Sequence, residues 1–402
     1  MRRPIAAVCA LAAVAVLLPS SVAAQETPLA APLDTVSVSE IRDLSPSTLA
    51  AAQQAAADLG ADHVVLHSGA MKMTRVWRGP AVVQAAPWRY AFPMWASAGD
   101  AAALGRLRGA AVGDALAAGL VVMGATTAGL RGAVAGDVVD LVGWHGRPVR
   151  LTVGLVADDA LMGGAELLFS EALAASIGFV RPSRVVLFGL TDRATVDPAL
   201  AANGLVRPDV RVRHSWDPPD PDAQISYAQT KALLGEFAYR SYGSRVLPHP
   251  GWTAANLPRT RQLLDATIPV RARCHVRIQA ALQGALSEVA AAGLAPAIDV
   301  ADTNRWGGCF NARLIRDLGR TIGGQLSRHS WGMAVDLNVR TNRMGDEPQL
   351  DCRVVRIFRK YGFVWGGNFL TPDGMHFEWV GERRDLLPYP STRCPNEVPA
   401  AP

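Results

Sequence analysis

The sequence predicts an α+β fold divided into two domains, and three observations predict it. The 402 residues exceed the roughly 100–200 typical of one domain. Short β-branched runs bounded by glycine alternate with stretches whose apolar residues recur at helical spacing. A proline- and acid-rich stretch, Trp216-Asp-Pro-Pro-Asp-Pro-Asp222, separates an upstream part from a downstream one. Half of the residues are apolar and 19% are charged, which excludes wholesale disorder. Lys and Arg number 40 against 35 acids, without a dense basic run, so nucleic acid is not an expected partner. The 37 glycines and 27 prolines show no three-residue period, which excludes collagen.

The elements follow in chain order. Arg2 and Arg3 precede an uncharged stretch reaching Gln25, with an apolar centre at 6–18 and the small-residue ending Val22-Ala23-Ala24. A charged start, a short apolar middle and such an exit describe a secretory signal over residues 1–24. A secreted or periplasmic location is therefore expected, with no stable membrane span after cleavage. An uncleaved anchor is the other reading, because the uncharged run approaches spanning length. Residues 45–59, opening Ser-Pro-Ser-Thr, read as a capped helix that ends at Gly60. Residues 63–67, 71–77, 138–142, 149–156, 165–169 and 185–190 read as β segments. The uncharged stretch 115–130 is only sixteen residues long and glycine-rich, which suits a buried core segment better than a membrane span. The glycine-bounded run Gly136-Asp-Val-Val-Asp-Leu-Val-Gly143 resembles part of the extracytoplasmic domains of ABC-type permeases. His63, His67 and His145 are read as structural. Residues 25–215 thus form an α+β domain of unknown role, with an unidentified protein as its possible partner.

After the linker at 216–223, apolar residues at helical spacing predict a helix over 225–241, and 246–250 breaks it. A second helix is predicted over 276–292, with Gly293 as its stop. Without the signal and its Cys9, four cysteines remain: Cys274, Cys309, Cys352 and Cys394. An even number in an exported chain favours two disulfides, with three possible pairings. Cys274–Cys309 and Cys352–Cys394 are preferred because each pins a loop of one region. A cysteine-rich metal site lacks the Cys-x-x-Cys pair that would support it. The downstream domain, residues 224–397, is expected to hold a small mixed sheet with helices.

Two segments there carry chemistry. The first is Ser327-Arg-His329-Ser-Trp-Gly332-Met-Ala334-Val-Asp336-Leu-Asn338; the second is Phe363-Val-Trp365-Gly-Gly367, then Pro372-Asp373-Gly-Met-His376-Phe-Glu378-Trp. Ala334, Asp336 and Asn338 are expected on one face of a strand, with Val335, Leu337 and Val339 on the core side. Gly332 permits the turn that folds His329 back toward Asp336. His376 and Glu378 share a face, with Phe377 and Trp379 opposite. If the strands pair, two imidazoles and a carboxylate converge, the ligand composition of a catalytic zinc site with one open position.

These segments resemble the VanY-like family of zinc peptidases, which comprises D-alanyl-D-alanine carboxypeptidases and dipeptidases together with L-alanyl-D-glutamate endopeptidases. Its pattern is Ser-x-His-x-x-Gly-x-Ala-x-Asp, then an acid three residues before a second His. The similarity begins near Lys231 (Gly235-Glu-Phe-Ala-Tyr-Arg240), passes through Arg273-Cys-His275 and Gly308-Cys-Phe-Asn-Ala-Arg313, and reaches about residue 387. The resemblance implies that His329, Asp336 and His376 bind zinc. It implies that Asp373 is the general base and that Arg313 polarises the scissile carbonyl. The carboxypeptidase branch has glutamate at the position of Asp373, whereas aspartate is more like the endopeptidase branch. Arg316 is the alternative to Arg313, and Glu378 is more suited to orienting a ligand imidazole than to acting as base. Ser327 orders the ligand turn or binds substrate, and Trp331 and Trp365 wall the cleft or belong to the core.

The chemistry asks for these residue types. Zinc brings the pKa of its bound water to about 7. A carboxylate must take that water's proton and hand it to the leaving amine, and a fixed cation stabilises charge that develops on the carbonyl oxygen. The expected function is an exported zinc peptidase acting on peptidoglycan stem peptides through zinc-bound water, with Asp373 as base. The alternative is a non-catalytic cell-wall-binding or regulatory protein that retains the same fold.

Overall fold

Alternating burial builds the upstream half in the computed structural model, which describes residues 33–398 except 42, 144–145, 180, 244, 300–307 and 318–319. The signal segment, Cys9 and His145 lie outside the described residues, as does the side chain of Arg316. The first strand, β1 (Thr35–Glu40), leads into α1 (Pro46–Asp58), which Ser45 caps by accepting from the Thr48 amide, as its sequence predicts. The expected segments 63–67 and 71–77 form one seventeen-residue strand, β2 (Asp62–Arg78).

Further strands are β3 (Ala81–Ala85), β4 (Phe92–Gly99), β5 (Val121–Gly124), β6 (Val138–Val142), β7 (Pro148–Ala157), β8 (Leu167–Ser170), β9 (Pro182–Phe188) and β10 (Val210–His214). They make a ten-stranded sheet in the order β10-β1-β9-β2-β4-β8-β5-β7-β6, with β3 beside β2. The sheet is mixed: β4 and β8 run parallel, as do β5 and β7, while the other pairs are antiparallel. Residues 115–130 end α2 (Ala110–Ala117), supply the fully buried β5 and begin α3 (Ala125–Arg131), and half of them enter the core. Among the described residues no helix is long and apolar enough to cross a membrane.

The end of this sheet formed by β10, β1 and β9 has two unlike faces. Val36, Val38, Val185, Leu187 and Val210 pack against Ala52 and Ala56 of α1 and against Leu200 of the helix Val196–Ala202. By the two-residue period, Ser37, Ser39, Arg184, Arg211 and Arg213 take the opposite face. That face borders the cleft described below.

The acid-rich linker is not fully solvated as its composition suggests. Asp222 is 4% exposed, because its carboxylate accepts from Arg359, the Trp365 amide and Asn368. Downstream, the predicted helix over 225–241 covers only Tyr227–Leu234, behind a Ser226 capping box. The chain leaves it at Gly235, with φ of +77°, and enters the strand Tyr239–Tyr242. The second predicted helix is present as Gln279–Ala291 after a short 3₁₀ turn, with Gly293 beyond it. Its Leu282, Leu286 and Val289 belong to the core that underlies the site.

Three downstream strands, Ala334–Asp336, Phe363–Trp365 and His376–Trp379, are β11, β12 and β13 for the purposes of the site, in the order β11-β13-β12. Both pairings are antiparallel, so this small sheet is not the mixed one expected; a ten-residue connection returns the chain beside β12 in the opposite sense. Disulfides join Cys274 to Cys309 and Cys352 to Cys394, the preferred pairing.

Charged groups buried between upstream and downstream residues bind the two halves. The Lys231 ammonium donates to Glu166 at 2.6 Å and lies 3.0 Å from Glu236, which also pairs with Arg131. Glu166 in turn accepts from the Trp95 amide and the Thr127 hydroxyl. Residues Asp34–Pro402 cluster as one compact unit.

Candidate metal centre and its cleft

Local sequence brings three ligand-type side chains together. Residues Arg328–Trp331 form a 3₁₀ turn, capped by Ser327, whose Oγ accepts from the His329 amide, and closed by Gly332 at φ +68°. A Cβ on Gly332 would lie 3.0 Å from the His275 amide nitrogen and from Leu257, so both the turn and the space require glycine. The chain then enters β11, whose Asp336 is directly opposite His376 of β13, while Ala334 is opposite Glu378. His329 Nε2 and His376 Nδ1 both lie 3.2 Å from Asp336 Oδ1. One ligand atom from each of the three residues lies within 4.8 Å of the others.

The remaining ring nitrogens are also engaged. His329 Nδ1 faces the Cys309 carbonyl at 3.2 Å, on the loop pinned by the Cys274–Cys309 disulfide. His376 Nε2 faces Glu378 Oε2 at 3.3 Å. Glu378 is fully buried, accepts from Gln224 at 2.9 Å, and lies 3.8 Å from Arg328. This arrangement leaves one nitrogen of each imidazole toward Asp336 and holds the other, as outer partners do in metal sites. The donor set therefore fits a divalent ion such as zinc.

Charge follows from the same contacts. Burial alone would raise the Asp336 carboxyl, but the two imidazoles outweigh it and hold it well below the usual range. Burial opposes protonation of His376, yet Asp336 and Glu378 on its two nitrogens push it up to about 10. Burial likewise opposes the Glu378 carboxylate, which His376 and Arg328 nevertheless keep below its ordinary value. Asp373 differs: burial dominates and raises its carboxyl. Its Oδ1 is buried and has no hydrogen-bond partner among the described residues. Gly366 makes this placement possible, because its carbonyl receives the Asp373 amide and a Cβ there would meet the Asp373 carbonyl at 2.5 Å.

A cleft of about 690 Å³ opens over this cluster. Asp373, His376, Arg313 and Ser327 line it. Ser330 holds the Arg313 backbone through both its amide and its carbonyl, and no carboxylate among the described residues pairs with the guanidinium. Trp331 and Trp365 do not line the cleft. Both are core residues, 0% and 1% exposed, with their indole N–H groups donating to the Gly235 and Gly374 carbonyls. Asn338 also departs from expectation: φ of +52° takes it off β11, and its amide holds the Ala297 carbonyl and the Asp299 amide. His63 and His67 sit on β2, and the triad is the one group of metal-ligand residues among those described.

Sequence reasoning missed the opposite wall. Ser37, Ser39, Arg184, Arg211 and Arg213 from the upstream sheet line the same cleft as His376 and Asp373. The signal available was the alternation Val-Arg-Val-Arg at 210–213, which places two arginines on the face opposite the buried Val210 and the partly buried Val212.

Residues 321–379 match a family model described as D-alanyl-D-alanine carboxypeptidase. The match includes Ser327, both histidines, Asp336, Asp373 and Glu378, and stops short of Arg313 and of everything upstream. No curated protein matches the chain.

Proposed function

We propose that the protein is an exported, zinc-dependent peptidase that hydrolyses peptide bonds of peptidoglycan stem peptides. The observation that carries this reading is the half-buried Asp373 carboxylate beside the His329–Asp336–His376 cluster, whose buried Oδ1 has no hydrogen-bond partner among the described residues. The family match across 321–379 supports the substrate class, and two disulfides support an extracytoplasmic location.

In this reading His329, Asp336 and His376 hold the ion, with Glu378 and the Cys309 carbonyl fixing the two rings. Zinc bound there would supply an acidified water and a polarised carbonyl. Asp373, whose carboxyl burial has raised, accepts a proton from the attacking water and returns it to the leaving amine. Arg313 presents a cation without a carboxylate partner to the carbonyl oxygen as negative charge develops. Ser327 orders the turn that carries His329. A purely wall-binding role would have no use for a carboxylate oxygen buried here without a partner among the described residues.

Incubation of purified stem peptides with the zinc-loaded protein tests the reading. Fragments whose masses sum to substrate plus one water are expected, and the peptide bond cleaved is read from the same masses.

A further inference from the structure

The upstream half carries a feature that the proposed chemistry does not use. Its sheet end formed by β10, β1 and β9 covers one face with helices and turns the other toward the metal centre. That second face is basic. Arg213 is already committed to Asp220 and the Tyr389 hydroxyl. Arg211 donates to the Asn368 carbonyl at 2.6 Å but has no carboxylate partner among the described residues. Arg184 is exposed to solvent within the cleft and also has none.

Among the described residues no acid lining the cleft forms an ion pair with either of these two arginines, and Asp220 is taken by Arg213. Asp222 serves Arg359, Asp217 holds His214, and Glu378 lies between His376 and Arg328. Burial, followed by the like charge of Arg213, brings the Arg211 guanidinium below its ordinary value, against the opposing pull of the Asp220 and Asp222 carboxylates, neither of which pairs with it directly. Ser37 and Ser39 flank the arginines with hydroxyls able to donate. A guanidinium answers a carboxylate with paired N–H donors in one plane.

We propose that Arg184 and Arg211 form a carboxylate-binding wall, so that the peptide held over the metal centre is an acidic one whose carboxylates, remote from the cleaved bond, are read by the upstream half. This rests on the peptidase reading above and gives the upstream half a part in selecting the substrate. The expectation of a protein partner for residues 25–215 has no comparable feature behind it.

The test compares a stem peptide bearing free carboxylates away from the cleaved bond with the same peptide carrying them as amides. In the wild-type protein, kcat/KM should favour the free acid by about tenfold or more. In R184Q/R211Q that ratio should collapse toward one, mainly through KM. Calorimetric titration of the acidic peptide into zinc-loaded protein with the Asp373→Asn substitution gives a readout independent of turnover. There the added R184Q/R211Q changes should weaken binding by about tenfold or more. If the double variant does not fold, R184Q alone, at an exposed position, carries the same two predictions. Cleavage of both peptides with unchanged ratio and affinity overturns the wall and leaves the peptidase reading standing. Absence of cleavage of either peptide contradicts the peptidase reading, and the calorimetric comparison then decides the wall by itself.

Discussion

At the residue scale the account turns on carboxylates in unlike environments. Asp336 is held ionised between two imidazoles, whereas the Asp373 carboxyl is raised by burial and has an oxygen without a partner among the described residues. Asp373→Asn should therefore keep its zinc, measured by elemental analysis, while kcat falls by about 10²–10⁴; retained turnover would remove Asp373 from the mechanism. The same geometry fixes a pH dependence. His376 rises from an ordinary 6.5 to about 10 in the metal-free protein. Its contribution to stability is fully present below about 6.5 and is lost as pH rises toward 10. Asp336 works in the opposite sense, contributing above its ordinary 3.8 and losing that contribution only in strong acid. The thermal midpoint of zinc-stripped protein should thus fall between pH 6.5 and 10, and the midpoint gain from added zinc should grow across that window. A flat difference would contradict the assignment of His376 as a ligand. The His329–Asp336–His376 cluster was legible in sequence because histidine and acid spacing on two strands is itself a chemical signature, whereas Asp373 and Arg313 entered only through the family resemblance. Trp331 and Trp365 were not, since a cleft wall and a core position require the same apolar surface.

At the element scale, alternation set Asp336 and His376 each on a defined face of its strand, and the pairing of β11 with β13, which the sequence left as a condition, makes those faces meet. The length of β11 was not legible. The pattern continues to Asn338, but hydrogen bonds to residues 297 and 299 draw that side chain away in a left-handed conformation. The helix over 225–241 was overpredicted for a related reason: helical spacing persists past Gly235, where the backbone no longer follows it. Gly332 is the element-level position on which the ligand turn depends. Gly332→Ala combines a positive φ with contacts at 3.0 Å and should cost at least about 1–2 kcal/mol, read from the denaturant midpoint. It should also weaken zinc binding, because His329 lies within the same turn; an unchanged midpoint would show that the turn tolerates a side chain.

At the scale of the whole molecule, the two halves share both a charged interface and a cleft. Glu166 and Lys231 are fully buried partners from opposite sides of the linker. Glu166→Ala leaves the ammonium without one of its two carboxylates and should cost roughly 3–5 kcal/mol, read by chemical denaturation. A loss under about 1 kcal/mol would mean that the pair does not hold the halves together. Alternation at 210–213 set two arginines on one face, but neither this pair nor the placement of those arginines across the cleft was legible, because no local pattern announces contact between residues 65 or more positions apart. The alternation of glycine-bounded β runs with helical spacing did foretell an α+β chain, and an even number of cysteines foretold the staples. The central claim, that this molecule cleaves stem peptides at its metal centre, is tested most directly by mass spectrometry of those peptides. The comparison is zinc-loaded protein, chelated protein and His329→Ala. The account predicts hydrolysis products with the zinc-loaded protein and intact peptide with the other two. Intact peptide in all three, or equal hydrolysis in all three, would contradict it.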